Sequence, residues 1–173
     1  VKRLNISLDS LQVERVKKIS RHGQLEDVLH GIEMARTAGF ERIKLNTVVL
    51  AGVNDDEVVD LARFALNKGL DISFIEEMPL GEISSHKRGD TQVASLTLAQ
   101  RLAEQFDFEP ESASASNHPS NRGPSRYHSV KGYSGRIGFI SPMTDNFCSS
   151  CNRVRLTSEG RLLLCLGNEP SMD

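Results

Sequence analysis

Residues 43–77, IKLNTVVLAGVNDDEVVDLARFALNKGLDISFIEE, contain the pattern that decides the fold. Ile43 to Leu50 is rich in β-branched residues, which predicts a strand. Asn54 with Glu57 three positions later indicates a helix start, and apolar residues then recur on one face of the predicted helix. Asp71 to Glu77 predicts a second strand. A strand–helix–strand order implies two parallel strands joined by a helical crossover.

The same alternation of strand and helix extends towards the start of the chain. Leu4 to Asp9 alternates apolar and polar residues, as a strand does, and Gln24 to Ala38 carries apolar residues at helical spacing. Three strands separated by two helices predict an α/β fold, either an open parallel sheet or part of a barrel. Three strands alone would leave two unpaired edges, so we expect further strands.

The regular alternation ends after Met78. Four elements are then predicted in order: a loop over Pro79–Asp90, a helix over Leu96–Phe106, a hairpin over Tyr127–Pro142 turning at Lys131-Gly132 or Ser134-Gly135, and a hairpin from Val154 to Cys165 around Ser158-Glu-Gly160. A serine-rich segment precedes the first hairpin and predicts a flexible connection. We therefore divide the chain into residues 1–108, a linker over 109–126, and residues 127–173.

Composition limits the classes of function. The 173 residues are 38% hydrophobic and 25% charged, as in a soluble globular protein, and the net charge of -2 favours neither nucleic acid nor a membrane surface as a partner. No apolar run approaches the roughly 20 residues that cross a bilayer. The first residues lack both a secretory apolar core and a starting methionine. We predict a cytoplasmic location and expect the chain to be part of a longer protein.

Three cysteines near the end of the chain give the strongest functional signal. Cys148, Cys151 and Cys165 form a C-x2-C-x13-C pattern, in which two thiolates lie in one tight turn and the third returns from the far strand of the predicted hairpin. Three thiolates suit zinc or an iron–sulfur cluster. Structural zinc uses four ligands, and the nearest upstream histidine, His128, lies 20 residues before Cys148. Three unrelated buried thiols are the remaining alternative.

Basic side chains in two places suggest an anionic ligand. Arg153 and Arg155 follow the second cysteine, and in a strand they would project from one face beside the metal site. A solvated basic edge strand is the alternative. Lys44 and Asn46 likewise share one side of a predicted strand, and a polar inward face is unusual in a parallel barrel unless a ligand occupies it.

Several segments, in the same order across nearly the whole chain, resemble the GTP 3',8-cyclases, the MoaA family of radical-SAM enzymes in molybdenum cofactor biosynthesis. The matching segments are Leu4-Asn-Ile-Ser-Leu-Asp-Ser10, Ile43-Lys-Leu-Asn46, Ala51-Gly-Val-Asn-Asp55, Phe74-Ile-Glu-Glu-Met-Pro79 and the run from Ser134 to Thr157. The resemblance implies the second half of an incomplete (β/α)6 TIM-like barrel, followed by a β-rich extension that carries an iron–sulfur cluster. It also implies conversion of GTP to (8S)-3',8-cyclo-7,8-dihydroguanosine 5'-triphosphate, started by a radical derived from S-adenosylmethionine (SAM).

The resemblance also implies site residues, cofactors and partners. Ser7 and Met78 match contacts to SAM. The positions that match contacts to GTP are Lys44, Arg153, Val154 and Arg155. The ligands of a 4Fe-4S cluster that holds the purine through an open iron match Cys148, Cys151 and Cys165. The family implies a homodimer and a downstream enzyme, cyclic pyranopterin monophosphate synthase (MoaC).

The chain also departs from the family. No cysteine precedes Cys148, so it lacks the C-x3-C-x2-C motif that holds the second, SAM-cleaving 4Fe-4S cluster. Ser73 stands where many relatives carry an arginine, and the chain stops at Asp173, before the helical tail and terminal Gly-Gly of the family. We therefore expect an inactive fragment, marginally stable because missing strands would expose an apolar barrel face. The alternatives are a non-catalytic iron–sulfur module that binds a purine nucleotide, and a different radical-SAM protein with an auxiliary-cluster tail.

Overall fold

The computed structural model describes residues 2–20, 22–78, 88–110, 124–145, 154–163 and 171–172. Within these residues the chain forms one sheet of five strands and a second sheet of three short strands. The strands are β1 (Arg3–Ser7), β2 (Arg42–Val49), β3 (Asp71–Glu76), β4 (Arg126–Ser129), β5 (Arg136–Ile140), β6 (Arg155–Leu156), β7 (Leu162–Leu163) and β8 (Ser171–Met172). The helices are α1 (Val13–Ser20), α2 (Leu25–Thr37), α3 (Val58–Asn67), α4 (Arg88–Thr91) and α5 (Ser95–Ala103), with a 3-10 turn at Asp55–Glu57.

The larger sheet has the strand order β1-β2-β3-β5-β4. Strands β1, β2, β3 and β5 are parallel, and β4 runs antiparallel to β5. The predicted parallel strands and helical crossovers are therefore confirmed, in a mixed α/β fold with a mainly parallel sheet. The hairpin predicted over Tyr127–Pro142 also forms, but its second strand pairs with β3. Strand β3 has a neighbour on each side, so the edge strands of this sheet among the described residues are β1 and β4.

One face of this sheet is apolar because alternate residues of each strand point towards the helices. The strand residues at this face that are at most 6% exposed include Ile43, Leu45, Val49, Ile72 and Phe74. Fully buried residues of the covering helices α2, α3 and α5 include Ile32, Leu61 and Leu98. Each such burial is worth about 1.5–3 kcal/mol. None of the helices in the described part of the chain combines the length and apolar character needed to cross a membrane.

The local predictions differ from the structure in two helices. No element was predicted between Asp9 and Gln24, where the structure forms α1. The loop predicted over Pro79–Asp90 was wrong for its last residues, which begin α4; residues 79–87 lie outside the described ranges. Four residues are too few to show a helical period. Helix α4 is instead held by tertiary contacts, since the Thr91 hydroxyl donates to Glu77 at 2.8 Å.

The C-terminal hairpin forms as predicted within the described residues. Strands β6 and β7 pair antiparallel, and Gly160 adopts a left-handed φ of 87° in the turn. Most of the connection predicted over 109–126 lies outside the described residues. Its last residue, Arg126, begins β4 of the larger sheet, and Ser125 before it is buried. Residues 1–108 and 127–173 thus contribute strands to one sheet.

Candidate functional site

The face of the five-stranded sheet opposite the helices is here called the open face. Paired residues of neighbouring strands lie side by side on one face of a sheet. Strand register therefore aligns one row across all five strands, formed by Ser7, Asn46, Ser73, Gly138 and Tyr127. The predicted common face of Lys44 and Asn46 is confirmed, with Lys44 in the row below. These rows of the open face are polar, whereas Val48, Ile75 and Ile140 form an apolar row above them.

The row that contains Lys44 carries excess positive charge. Lys44 pairs in register with Asp71, whose carboxylate accepts hydrogen bonds from the Arg136 backbone N at 3.0 Å and the Arg136 Nη2 at 2.9 Å. Arg42 Nη1 lies 3.4 Å from the same carboxylate. Two arginines, one on β2 and one on β5, thus contact one carboxylate, and Lys44 occupies the paired position on β2. The cationic side chains in this part of the open face favour an anionic ligand.

Ser73 forms a buried cluster of hydroxyl groups on the open face. Its Oγ lies 2.8 Å from Ser125 Oγ and donates to the Tyr127 hydroxyl at 3.2 Å. The Arg136 guanidinium stacks over the Tyr127 ring at 4.3 Å, and burial raises the pKa of the Tyr127 phenol. Sequence reasoning singled out neither Ser125 nor Tyr127. An arginine in place of Ser73 would require the space that these two side chains occupy.

Gly138 makes this cluster possible. A Cβ atom at Gly138 would lie 2.3 Å from Ser125 Oγ and 2.8 Å from carbon atoms of the Tyr127 ring. Only a residue without a side chain therefore allows Tyr127 to lie across β5 towards Ser73. The sequence offered a weak signal for this, because a glycine inside a strand often marks close approach by a neighbouring group.

Asn46 has a buried side-chain oxygen that accepts no hydrogen bond within the described residues. Its Oδ1 is inaccessible to solvent and accepts no hydrogen bond from any described residue. An unpaired buried carbonyl oxygen costs about 1–3 kcal/mol. The oxygen lies in the row between Ser7 and Ser73, where a ligand donor would satisfy it. A polar ligand with N–H or O–H groups fits this position.

The carboxyl ends of the parallel strands carry the two residues predicted to contact SAM. Ser7 ends β1 with an exposed side chain, and Met78 follows the last residue of β3 by two positions and is half-buried. Ligands of open parallel sheets bind beyond this edge of the sheet. The structure thus places Ser7 and Lys44 on one face and Met78 at its carboxyl edge.

Asn54 joins the segments that follow β1 and β2 at this edge by hydrogen bonds. It is fully buried, and its Nδ2 donates to the backbone oxygens of Asp9 at 2.7 Å and Val48 at 2.9 Å. Its Oδ1 accepts from Leu50 N at 2.8 Å. Burial raises the pKa of Asp9, whose Oδ1 accepts from Val48 N at 2.8 Å. Asn54 was predicted only as part of a helix start, and its role in holding the segment after Ser7 was missed.

The predicted cluster ligands Cys148, Cys151 and Cys165 lie outside the described residues, as does Arg153. Val154 and Arg155 are described and exposed. The ranges that the structure describes hold no group of three side chains able to bind a metal ion. The pair Arg155–Leu163 closes the open end of the β6–β7 hairpin. Cys151 precedes and Cys165 follows this pair in sequence.

Comparison with known proteins gives consistent matches along the chain. The family model for Molybdenum Cofactor Synthesis C matches residues 70–173, and that for the Radical SAM superfamily matches residues 1–65. A GTP 3',8-cyclase of Pseudomonas putida (strain W619) is 59% identical over 172 residues, which cover 99% of this chain and 50% of that protein. A GTP 3',8-cyclase of Saccharophagus degradans is 51% identical over 173 residues, covering 100% of this chain and 50% of that protein. The chain spans about half the length of the curated relatives it matches.

Proposed function

The chain belongs to the Molybdenum Cofactor Synthesis C family, and on that basis we propose that it is the GTP-binding part of a GTP 3',8-cyclase. In this proposal, residues 1–108 are the second half of an incomplete (β/α)6 radical-SAM barrel. Residues 127–173 are the extension for a 4Fe-4S cluster, joined to the barrel by residues 109–126. The reaction is the ring closure of GTP to (8S)-3',8-cyclo-7,8-dihydroguanosine 5'-triphosphate.

The observation that carries the proposal is the polar and cationic open face. Parallel strands covered on both sides are normally apolar on both faces. Here Ser7, Asn46 and Ser73 lie side by side, and Lys44 lies in the cationic row directly below. A nucleoside triphosphate offers hydroxyl and amino donors to the first row and negative charge to the second. The unpaired Asn46 Oδ1 supports this fit.

The chain's own residues take complementary parts in this proposal. Lys44 neutralises the triphosphate, and the segment Arg153–Arg155 supplies a second cationic contact. Ser7 and Met78 hold SAM, which when bound and reductively cleaved supplies the radical chemistry. Three thiolates fit a 4Fe-4S cluster with one iron open to the purine, and these are Cys148, Cys151 and Cys165. We further propose a homodimer, with cyclic pyranopterin monophosphate synthase using the product.

Anaerobic reconstitution and GTP titration test the proposal. The chain should take up about four irons, and Cys148→Ala should abolish that uptake. Lys44→Met should weaken GTP binding by about tenfold, since it removes a charge that faces the phosphates. Lys18→Met is the matched control, because Lys18 is an exposed lysine on α1, and it should leave binding unchanged. Stoichiometric zinc without iron would refute the cluster. If the two lysine variants bind GTP with equal affinity, the proposal that GTP binds on the open face is refuted.

A further inference from the structure

Glu76 ends β3 with a side chain that is only 1% exposed. Acidic side chains are rarely buried so completely unless several donors satisfy them. The Glu76 carboxylate accepts hydrogen bonds from Ser95 N at 2.8 Å, Met143 N at 3.1 Å, Thr144 N at 3.0 Å and the Thr144 hydroxyl. Burial acts to raise the pKa of Glu76, but the hydrogen bonds from Thr144 and Ser95 outweigh it and hold the pKa below its usual range.

These bonds join three segments that are distant in sequence. Glu76 belongs to β3, Ser95 is the first residue of α5, and Met143 and Thr144 lie in the turn that follows β5. The Ser141 hydroxyl also donates to Ser95 Oγ at 2.7 Å and closes the same junction. The carboxylate therefore fixes the turn over residues 141–145 to the end of β3 and the start of α5.

In sequence, this turn lies between Met78, which is proposed to contact SAM, and Cys148, which is proposed to bind the cluster. Met78 follows Glu76 by two residues, and Cys148 follows Asp145 by three. Three residues span at most about 11 Å, so the position of the turn limits where Cys148 lies. Glu76 thus precedes the segment proposed to contact SAM and holds the turn that precedes, in sequence, the segment proposed to bind the cluster.

We propose that Glu76 is a positioning residue that sets the cysteine segment relative to the barrel strand. By holding the turn over residues 141–145, it keeps the cluster ligands in place and slows loss of the cluster. The inference rests on the proposed function, because it takes Cys148 as a cluster ligand.

Glu57 provides a matched comparison. It is 4% exposed, and its carboxylate accepts from Ser10 Oγ at 2.8 Å, Leu11 N at 2.8 Å and Arg15 Nη1 at 2.7 Å. Its burial and number of donors resemble those of Glu76, but these partners lie in α1 and in the segment between β1 and α1. Glu57→Gln should therefore weaken the fold much as Glu76→Gln does, without acting on the turn after β5.

The test measures how fast the reconstituted chain loses its cluster to an excess of a ferrous chelator, followed by the visible absorbance of the cluster. Glu76→Gln should lose it about tenfold faster than the unmodified chain, because an amide cannot accept from all of these donors. Glu57→Gln should lose it at the unmodified rate, although urea unfolding shows a similar loss of stability. Thr144→Val removes one donor at an exposed residue and should give a smaller acceleration, and Thr144→Ser should restore the slow rate.

The outcomes separate the two proposals. An unmodified chain that takes up no iron would refute the cluster, and with it both proposals. If the chain loads iron but Glu76→Gln and Glu57→Gln lose it at the same rate, only the role of Glu76 is overturned. Equal rates for Thr144→Val and Thr144→Ser would overturn it as well, and this pair tests the proposal even if Glu76→Gln does not fold.

Discussion

Substitution of Gly138 by alanine probes the packing of the open face most directly. The added Cβ would lie 2.3 Å from Ser125 Oγ, where an ordinary contact is at least 3.4 Å. Ser125 must rotate away and loses its hydrogen bond to Ser73, which costs about 1 kcal/mol. Displacement of the Tyr127 ring adds about 1–3 kcal/mol of overpacking. The lower backbone entropy of unfolded alanine offsets about 0.5–1 kcal/mol, so we expect a net loss of about 2 kcal/mol.

Urea unfolding of the chain measures this loss as a change in the free energy of unfolding. Gly31→Ala in α2 is the control, because no atom lies within 4 Å of its added Cβ. It should stabilise the chain by about 0.5–1 kcal/mol. In a Ser125→Ala background, Gly138→Ala should cost about 1 kcal/mol less, since the conflicting hydroxyl is gone. A Gly138→Ala variant as stable as the unmodified chain, or equally destabilised in both backgrounds, would refute the packing described.

Three further predictions concern polar groups. Because the pKa of Glu76 is held below its ordinary 4.5, the carboxylate stabilises the fold above that pH, and this contribution is lost as the pH falls through the lowered pKa. The free energy of unfolding of Glu76→Gln, measured in urea, should therefore fall less steeply with acidification than that of the unmodified chain. Equal slopes of this free energy against pH would contradict the prediction. Asn54→Ala should lower the free energy of unfolding by about 2–4 kcal/mol and speed amide exchange at Leu50, because three backbone groups lose their partner. Asp71→Asn should destabilise the chain by about 1–3 kcal/mol yet tighten GTP binding at low salt, because two arginines lose their counter-charge; weaker binding would contradict the placement of GTP.

Local sequence signals were sufficient for most of the fold. Strand β2 alternates along its length, so its buried face and its polar face could both be predicted before the structure was known. The position of β5 between β3 and β4 could not be predicted. A hairpin signal depends on neighbouring residues, whereas the pairing of Ile72 with Ile137 joins segments 65 positions apart. Helix α1 was missed because it is short and Val16 is its one buried residue.

The candidate site was predicted where strand alternation alone determines the face of a side chain, as for Lys44 and Asn46. Residues whose role depends on distant donors were missed. Glu76 was visible only as a charged residue at the end of an apolar strand, and its partners at Ser95 and Thr144 come from elsewhere in the chain. The hydroxyl cluster around Ser73 was missed for the same reason.

Strand β3 has a consequence for exchanging segments between related enzymes. It begins directly after the point at residues 65–70 where one family match ends and the next begins, and it pairs with β2 on one side and β5 on the other. A hybrid joined at that point would keep the loops of both parents, yet it would bring together a β2 and a β3 of different ancestry. Six register pairs, from Lys44–Asp71 to Val49–Glu76, would then decide whether the hybrid folds. Whether the two parent sequences are compatible therefore depends on the residues along the β2–β3 pair more than on the peptide at which they are joined.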